Sequence, residues 1–188
     1  TTLKDKHISF KGETMHFSFK GKKGVYQQIS TRSKRLSNII KQCRDIPGKE
    51  LFQYYDEQEQ HRSIDSGMVN RYLKDITGQD FTAKDFRTWA GTSHAFMAFK
   101  ELGLAETQTA KKKNIVAALD AVAEHLGNTR TVCKRYYVHP VMISLYENGR
   151  LENYFDLLSF ENESNKGLAV EEKIIMKILE KEGLIVLG

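Results

Sequence analysis

Three short segments of this chain combine residue types able to handle phosphate esters. The first is Phe19-Lys20-Gly21-Lys22-Lys23-Gly24. Glycines permit a tight turn and close backbone approach, and a lysine there can reach a phosphate or donate a proton. The second is Lys84-Asp85-Phe86-Arg87-Thr88-Trp89-Ala90-Gly91. Lys84 and Arg87 are three residues apart, so both project from one side of a first helical turn, where free backbone donors also favour an anion. The third joins Gly127-Asn128-Thr129-Arg130 to Cys133-Lys134-Arg135-Tyr136-Tyr137-Val138-His139-Pro140. A tyrosine hydroxyl beside two cations can attack a phosphodiester, since neighbouring positive charge favours the phenolate. Each segment also has a plainer explanation. Lysines favour solvated turns, a basic helix face can lie opposite packed Phe86 and Trp89, and tyrosines often pack with a satisfied hydroxyl.

The elements that must position these residues follow from periodicity. Lys6–Phe10 and Met15–Phe19 alternate around Lys11–Thr14, and Val25–Ile29 follows the lysine-rich turn. This predicts a small three-stranded antiparallel sheet. From Ser30 the pattern is mainly helical, with Leu36, Ile39, Ile40 and Cys43 on one helix that ends at Asp45-Ile46-Pro47-Gly48. Leu51–Tyr55 and Arg62–Ile64 fit a short hairpin or an irregular connector. A helix capped by Asp65 or Ser66 carries Val69, Tyr72, Leu73 and Ile76 and stops at Gly78. The next starts near Thr82, with Phe86, Trp89, Ala90, Phe96 and Phe99 as its apolar positions. Further helices are predicted from Thr107 or Thr109 to Gly127, over Thr129–Tyr136, from Pro140, and over about Val170–Glu182. The fold class expected is α+β and mainly helical, with the sheet at residues 3–30 and the helical body at 31–150.

The chain has 188 residues, 29 Lys+Arg against 24 Asp+Glu, and a net charge of +5. Hydrophobic content of 40% excludes a disordered chain, and two prolines exclude a linker or collagen-like one. No apolar run is long enough for a membrane span and no leader opens the sequence, so a cytoplasmic protein without membrane contact is expected. Cys43 and Cys133 read as free thiols. The charge is unevenly spread: residues 1–150 hold 25 bases and 16 acids, whereas 151–188 hold four bases and eight acids. A basic body with an acidic C-terminal helical segment points to a polyanionic partner, with nucleic acid the leading candidate. That segment, with its apolar face at Ile174, Ile175 and Ile178, is expected to pack as a terminal helix or to cover the basic surface.

In this order, the GK turn, KDFRTWAG and LGNTRTVCKRYY resemble the catalytic domain of the small type IB DNA topoisomerases of bacteria and poxviruses. TLKDKHI and CRDIPGKELFQY extend the resemblance from about Thr2 to Asn148. It implies that Tyr137 is a nucleophile forming a 3′-phosphotyrosyl bond to DNA, and that Tyr136 is not. It implies that Lys22 is the general acid toward the leaving 5′-oxygen and that Arg87 neutralises the non-bridging oxygens. Asn128 falls where poxviral members have histidine; bacterial members resemble this chain there. Lys84 matches a phosphate-facing lysine, and Lys20, Lys23, Lys134 and Arg135 are candidate DNA-backbone contacts. The partner implied is duplex DNA, relaxed by a monomer associated with the bacterial nucleoid, with no cofactor, ATP or metal.

The family's second arginine precedes the TLKDKHI strand, so its counterpart would lie upstream of Thr1. The chain is therefore expected to be an excised C-terminal domain that lacks the N-terminal part of the DNA clamp and cleaves DNA weakly by itself. A tyrosine site-specific recombinase is the nearest alternative, but it carries a His-x-x-Arg pair where this chain has Gly127-Asn128-Thr129. A non-catalytic DNA-binding module is the other.

Overall fold

A computed structural model of the protein describes residues 3–21, 24–160 and 167–184. It is α+β and mainly helical, with one small three-stranded antiparallel sheet. The chain divides between Ala83 and Lys84 into two compact units.

In the first unit, β1 (Ile8–Lys11), β2 (Thr14–Lys20) and β3 (Tyr26–Arg32) form the sheet in that order. Ile8 lies opposite Phe17 and Lys11 opposite Thr14, which leaves a two-residue turn at Gly12-Glu13. Gly12 has φ of 62°, a conformation glycine adopts without the Cβ penalty. The sheet starts later than the alternation predicts. Asp5–His7 form a 3-10 turn instead, in which the His7 amide donates to the Lys4 carbonyl and the Lys4 amide donates to His7 Nδ1 at 3.0 Å. β2 pairs with β3 from Thr14–Arg32 to Lys20–Tyr26, so its last pair adjoins the lysine-rich turn.

α1 (Lys34–Arg44) is capped by Ser33, whose hydroxyl accepts from the Leu36 amide. Its buried face differs from the one periodicity suggested. Ser37 and Ile40 face inward, whereas Leu36 and Ile39 are exposed. The core here is small: Ile8, Met15, Ile40 and Leu51, with Leu3, Phe10, Phe17 and Phe52 against them. So few buried positions need only a narrow stripe of the helix.

β4 (Gln53–Tyr55) and β5 (His61–Ser63) realise the hairpin. Asp56 shapes its loop, accepting from the Gln58 and Gln60 amides and from Arg62 Nε at 2.7 Å. α2 (Ser66–Thr77) is capped by Asp65 and ends on left-handed Gly78. None of its residues is buried, and the predicted apolar positions Tyr72 and Ile76 are exposed.

The second unit is helical. α3 (Ala83–Leu102) and α4 (Gln108–Leu126) are long, α5 (Arg130–Tyr136) and α6 (Pro140–Glu147) short. A 3-10 turn at Leu151–Tyr154, α7 (Leu157–Phe160) and α8 (Val170–Lys181) follow. The 3-10 turn and α7 had no periodic signal in the sequence. Phe96 and Phe99 of α3, Leu119 and Val122 of α4, Met142 of α6 and Ile174, Ile175 and Ile178 of α8 share one core. Phe86 stands apart from it, exposed on the first turn of α3.

The acidic helix α8 is thus an integral wall of this core. Its first turn is tied to α3 as well, where the Trp89 indole donates to Glu172 Oε1 at 2.6 Å. Glu172 Oε2 meanwhile accepts from the Ala169 amide, closing the helix N-terminus. The alternation of acid and isoleucine therefore serves packing on one face and capping on the other.

Candidate active site

The site grows from two helix ends. α4 stops at Gly127, which has φ of 60°, and the Asn128 amide turns back to donate to the Ala123 carbonyl at 2.8 Å. The reversal leaves the Leu126 carbonyl pointing outward, where it accepts from Asn128 Nδ2 at 3.2 Å and from Arg87 Nη2 at 2.6 Å. Arg87 and Asn128, 41 positions apart in the sequence, share one anchor.

The second end is that of α5. Thr129 caps its start, accepting from the Val132 amide. The amides of Tyr137 and Val138 both donate to the Cys133 carbonyl at 3.0 Å, which ends the helix. Pro140 then occupies the first turn of α6, and its ring forces the preceding His139 into extended backbone. Tyr137 consequently sits on a turn between two short helices, half-buried. The Arg87 guanidinium lies 4.9 Å from the centre of its ring.

Tyr136 points elsewhere and is largely exposed. Lys84 Nζ and the Arg135 guanidinium each lie 5.2 Å from its ring centre. Two cations thus gather on the face of one aromatic ring beside Tyr137. Lys134 and Arg135, with Arg130 and Thr131, line an open surface concavity of about 400 Å³. Arg130 is paired there with Asp120 through two hydrogen bonds of 2.6 and 2.7 Å. That guanidinium holds the Asp120 carboxyl below the usual carboxylate range.

Of the residues singled out from sequence, Tyr137, Arg87, Asn128, Lys84, Lys134 and Arg135 lie in the second unit, the first three around Leu126 and Tyr137. Lys20 ends β2 in the first unit, exposed, with its side chain over Gly24. Lys22 and Lys23 lie outside the described residues. Cys133 is fully buried beneath the site, and burial pushes its thiol up despite nearby Arg87, which leaves it a packing residue and not a nucleophile. Among the described residues, no group of three or more His, Cys, Asp or Glu is arranged to hold a metal.

Sequence reasoning passed over the α3 residues that receive the tyrosine turn. Thr88 Oγ1 lies 3.1 Å from the Tyr136 carbonyl, and Thr92 Oγ1 accepts from the His139 amide at 3.0 Å. A Cβ added at Gly91 would run into the Tyr137 carbonyl oxygen. Thr88, Gly91 and Thr92 recur at helical spacing on the face that also presents Arg87, and that spacing was the available signal.

Burial of His94 and His139 predicts that this unit loses stability in acid. His94 and His125 stack edge to face with centroids 3.6 Å apart. Burial, and then the charge of His125, pushes His94 below its ordinary value of 6.5, against a smaller opposing effect of Glu101. Burial lowers His139 likewise. The unfolded chain therefore binds more protons than the folded one as the pH falls below 6.5, and stability should decline through that interval and level off below the depressed folded values. Urea midpoints measured from pH 8 to 5 should fall, and His94→Gln should flatten the slope. An unchanged slope in that variant would exclude His94 as a contributor.

The class, a DNA topoisomerase catalytic core, comes from comparison with known proteins. The family model for the catalytic core of eukaryotic DNA topoisomerase I matches residues 1–154. DNA topoisomerase 1B of Acanthamoeba polyphaga mimivirus is 31% identical over 159 residues, covering 79% of this chain and 46% of that protein. The chain thus spans about half the length of this curated relative. It belongs to the type IB DNA topoisomerase family, as a catalytic domain of the small viral type.

Proposed function

We propose that this domain cleaves and reseals one strand of duplex DNA with Tyr137 as nucleophile. The reading is carried by the placement of Arg87, whose guanidinium lies against the Tyr137 ring while sharing the Leu126 carbonyl with Asn128. The phenolic oxygen attacks phosphorus and passes its proton to solvent water. A bond forms between phosphorus and Tyr137, the bond to the 5′-oxygen breaks, and that oxygen leaves protonated. Lys22, assigned on its sequence context, supplies that proton. Arg87, with Asn128 as a neutral donor, stabilises the negative charge that gathers on the non-bridging oxygens.

Because the phosphoester is conserved as a tyrosyl ester, the reverse attack by the 5′-hydroxyl restores the strand without ATP. Rotation of the free end between the two steps relaxes supercoils. Lys84 and Arg135, which meet the Tyr136 ring, hold the DNA backbone together with Lys134, Lys20 and Lys23, the last three assigned on their sequence context. The full-length protein should convert supercoiled plasmid to a ladder of relaxed topoisomers with neither ATP nor added divalent metal. Site-specific strand exchange without relaxation would favour a recombinase, and DNA binding without covalent adducts would favour a binding module.

A further inference from the structure

We infer that Thr88 and Thr92 are positioning residues that set Tyr137 for attack by gripping the chain on both sides of it; this rests on the reading of Tyr137 as the nucleophile. Thr88 Oγ1 lies 3.1 Å from the carbonyl of Tyr136, the residue before, and 3.2 Å from the Lys84 carbonyl of its own helix, so its one proton is shared between the two. Thr92 Oγ1 accepts from the amide of His139, two residues after, at 3.0 Å. The two threonines are one helical turn apart, and Thr92 also donates to the Thr88 carbonyl at 2.8 Å, so its hydroxyl is oriented as an acceptor toward His139. Thr92 is buried, so its geometry is not averaged by solvent.

Gly91 completes the grip. A methyl group there would collide with the Tyr137 carbonyl oxygen and lie within 3.2 Å of Leu126 Cδ1. The backbone of the nucleophile therefore lies directly on α3, one turn beyond Arg87. Helix α3 supplies both the charge that faces the phosphate and the surface that fixes the attacking residue. Their separation is set by the rigid spacing of a single helix. Neither threonine needs to touch DNA, since both act through the Tyr136–His139 backbone.

The test is single-turnover cleavage of a suicide duplex by the full-length protein carrying Thr92→Val, Thr92→Ser or Thr88→Val, beside Tyr137→Phe. Valine keeps the shape and removes the hydroxyl; serine keeps the hydroxyl. Thr92→Val should slow covalent adduct formation on the order of 100-fold at saturating DNA, the cost of displacing a reacting group by about an ångström, with DNA affinity retained. Thr92→Ser should recover most of the rate, and Thr88→Val should slow cleavage as well. Rates are normalised to folded protein by circular dichroism. Amide exchange of His139 in Thr92→Val gives a readout independent of catalysis and should accelerate.

Wild-type cleavage rates in both valine variants would overturn the inference. So would loss of stability alone with the rate per folded molecule unchanged. If Thr92→Val fails to fold, Thr88→Val and Thr92→Ser still decide, the first by slowing cleavage and the second by preserving it. Adducts persisting in Tyr137→Phe would instead remove the nucleophile assignment itself, leaving the faster His139 exchange as a structural effect only.

Discussion

Tyr137→Phe should abolish covalent protein–DNA adducts, by at least about 10⁴-fold in cleavage rate, because loss of a nucleophile removes the bond-forming group itself. DNA binding should persist, since the cations on this surface are untouched: Lys84 and Arg135 still meet the Tyr136 ring. The phenylalanine ring keeps its stacking with Arg87 and its place beside α3, so the fold should be retained. Tyr136→Phe is the matched control. Its hydroxyl has no assigned role, and its ring, which gathers the two cations, is preserved. Adducts lost in Tyr136→Phe and kept in Tyr137→Phe would invert the assignment of the pair. The measurement is denaturing electrophoresis of the protein after incubation with end-labelled duplex.

Arg87→Ala should reduce the cleavage rate about 100- to 1000-fold, the usual consequence of deleting one preorganised donor to a developing oxyanion. Two losses combine in this variant. The charge over Tyr137 disappears, and the Leu126 carbonyl keeps only Asn128 as its donor. Arg87→Lys should recover part of the charge effect only. An ammonium cannot both hold the Leu126 carbonyl and present a planar pair of N–H donors to a phosphate. Full activity in Arg87→Lys would mean that Arg87 acts as a point charge and not as a fork. Unchanged activity in Arg87→Ala would remove it from the chemistry altogether. Both variants are read by the same single-turnover assay.

The two variants probe different levels of one arrangement. Tyr137 reaches its position through a proline-terminated turn, and Arg87 through the first turns of a long helix. What joins them is the left-handed end of α4 at Gly127, which exposes the Leu126 carbonyl. A β-substituted residue at Gly127 would strain that reversal and disturb Arg87 and Asn128 together.

Local order was legible in the sequence because it rests on short-range rules. The alternation of Met15–Phe19 marks β2, Thr107 and Gly127 bracket α4, and Pro140 opens α6. The resemblance carried by KDFRTWAG and LGNTRTVCKRYY, in that order, implied the roles of Arg87, Asn128 and Tyr137 and suggested the family. Amphipathic periodicity was less informative wherever the core is thin. It marked Leu36, Ile39, Tyr72 and Ile76 as apolar positions, yet all four are exposed, because burial depends on what else the chain brings alongside.

Tertiary structure alone decided three things. It made the acidic C-terminal helix part of the core, since Ile174, Ile175 and Ile178 meet Phe96 and Val122 only after folding. It assigned two cations to Tyr136 and one to Tyr137, a choice set by side-chain direction that adjacent sequence positions do not reveal. And it gave Thr88 and Thr92 hydrogen-bond partners 48 and 47 positions further on, where backbone groups left unpaired at a helix end had to find donors and acceptors, with Gly91 leaving room for the Tyr137 carbonyl between them. The basic charge that first pointed to a polyanion is a property of composition. Which of those charges stands beside the tyrosine is a property of the fold.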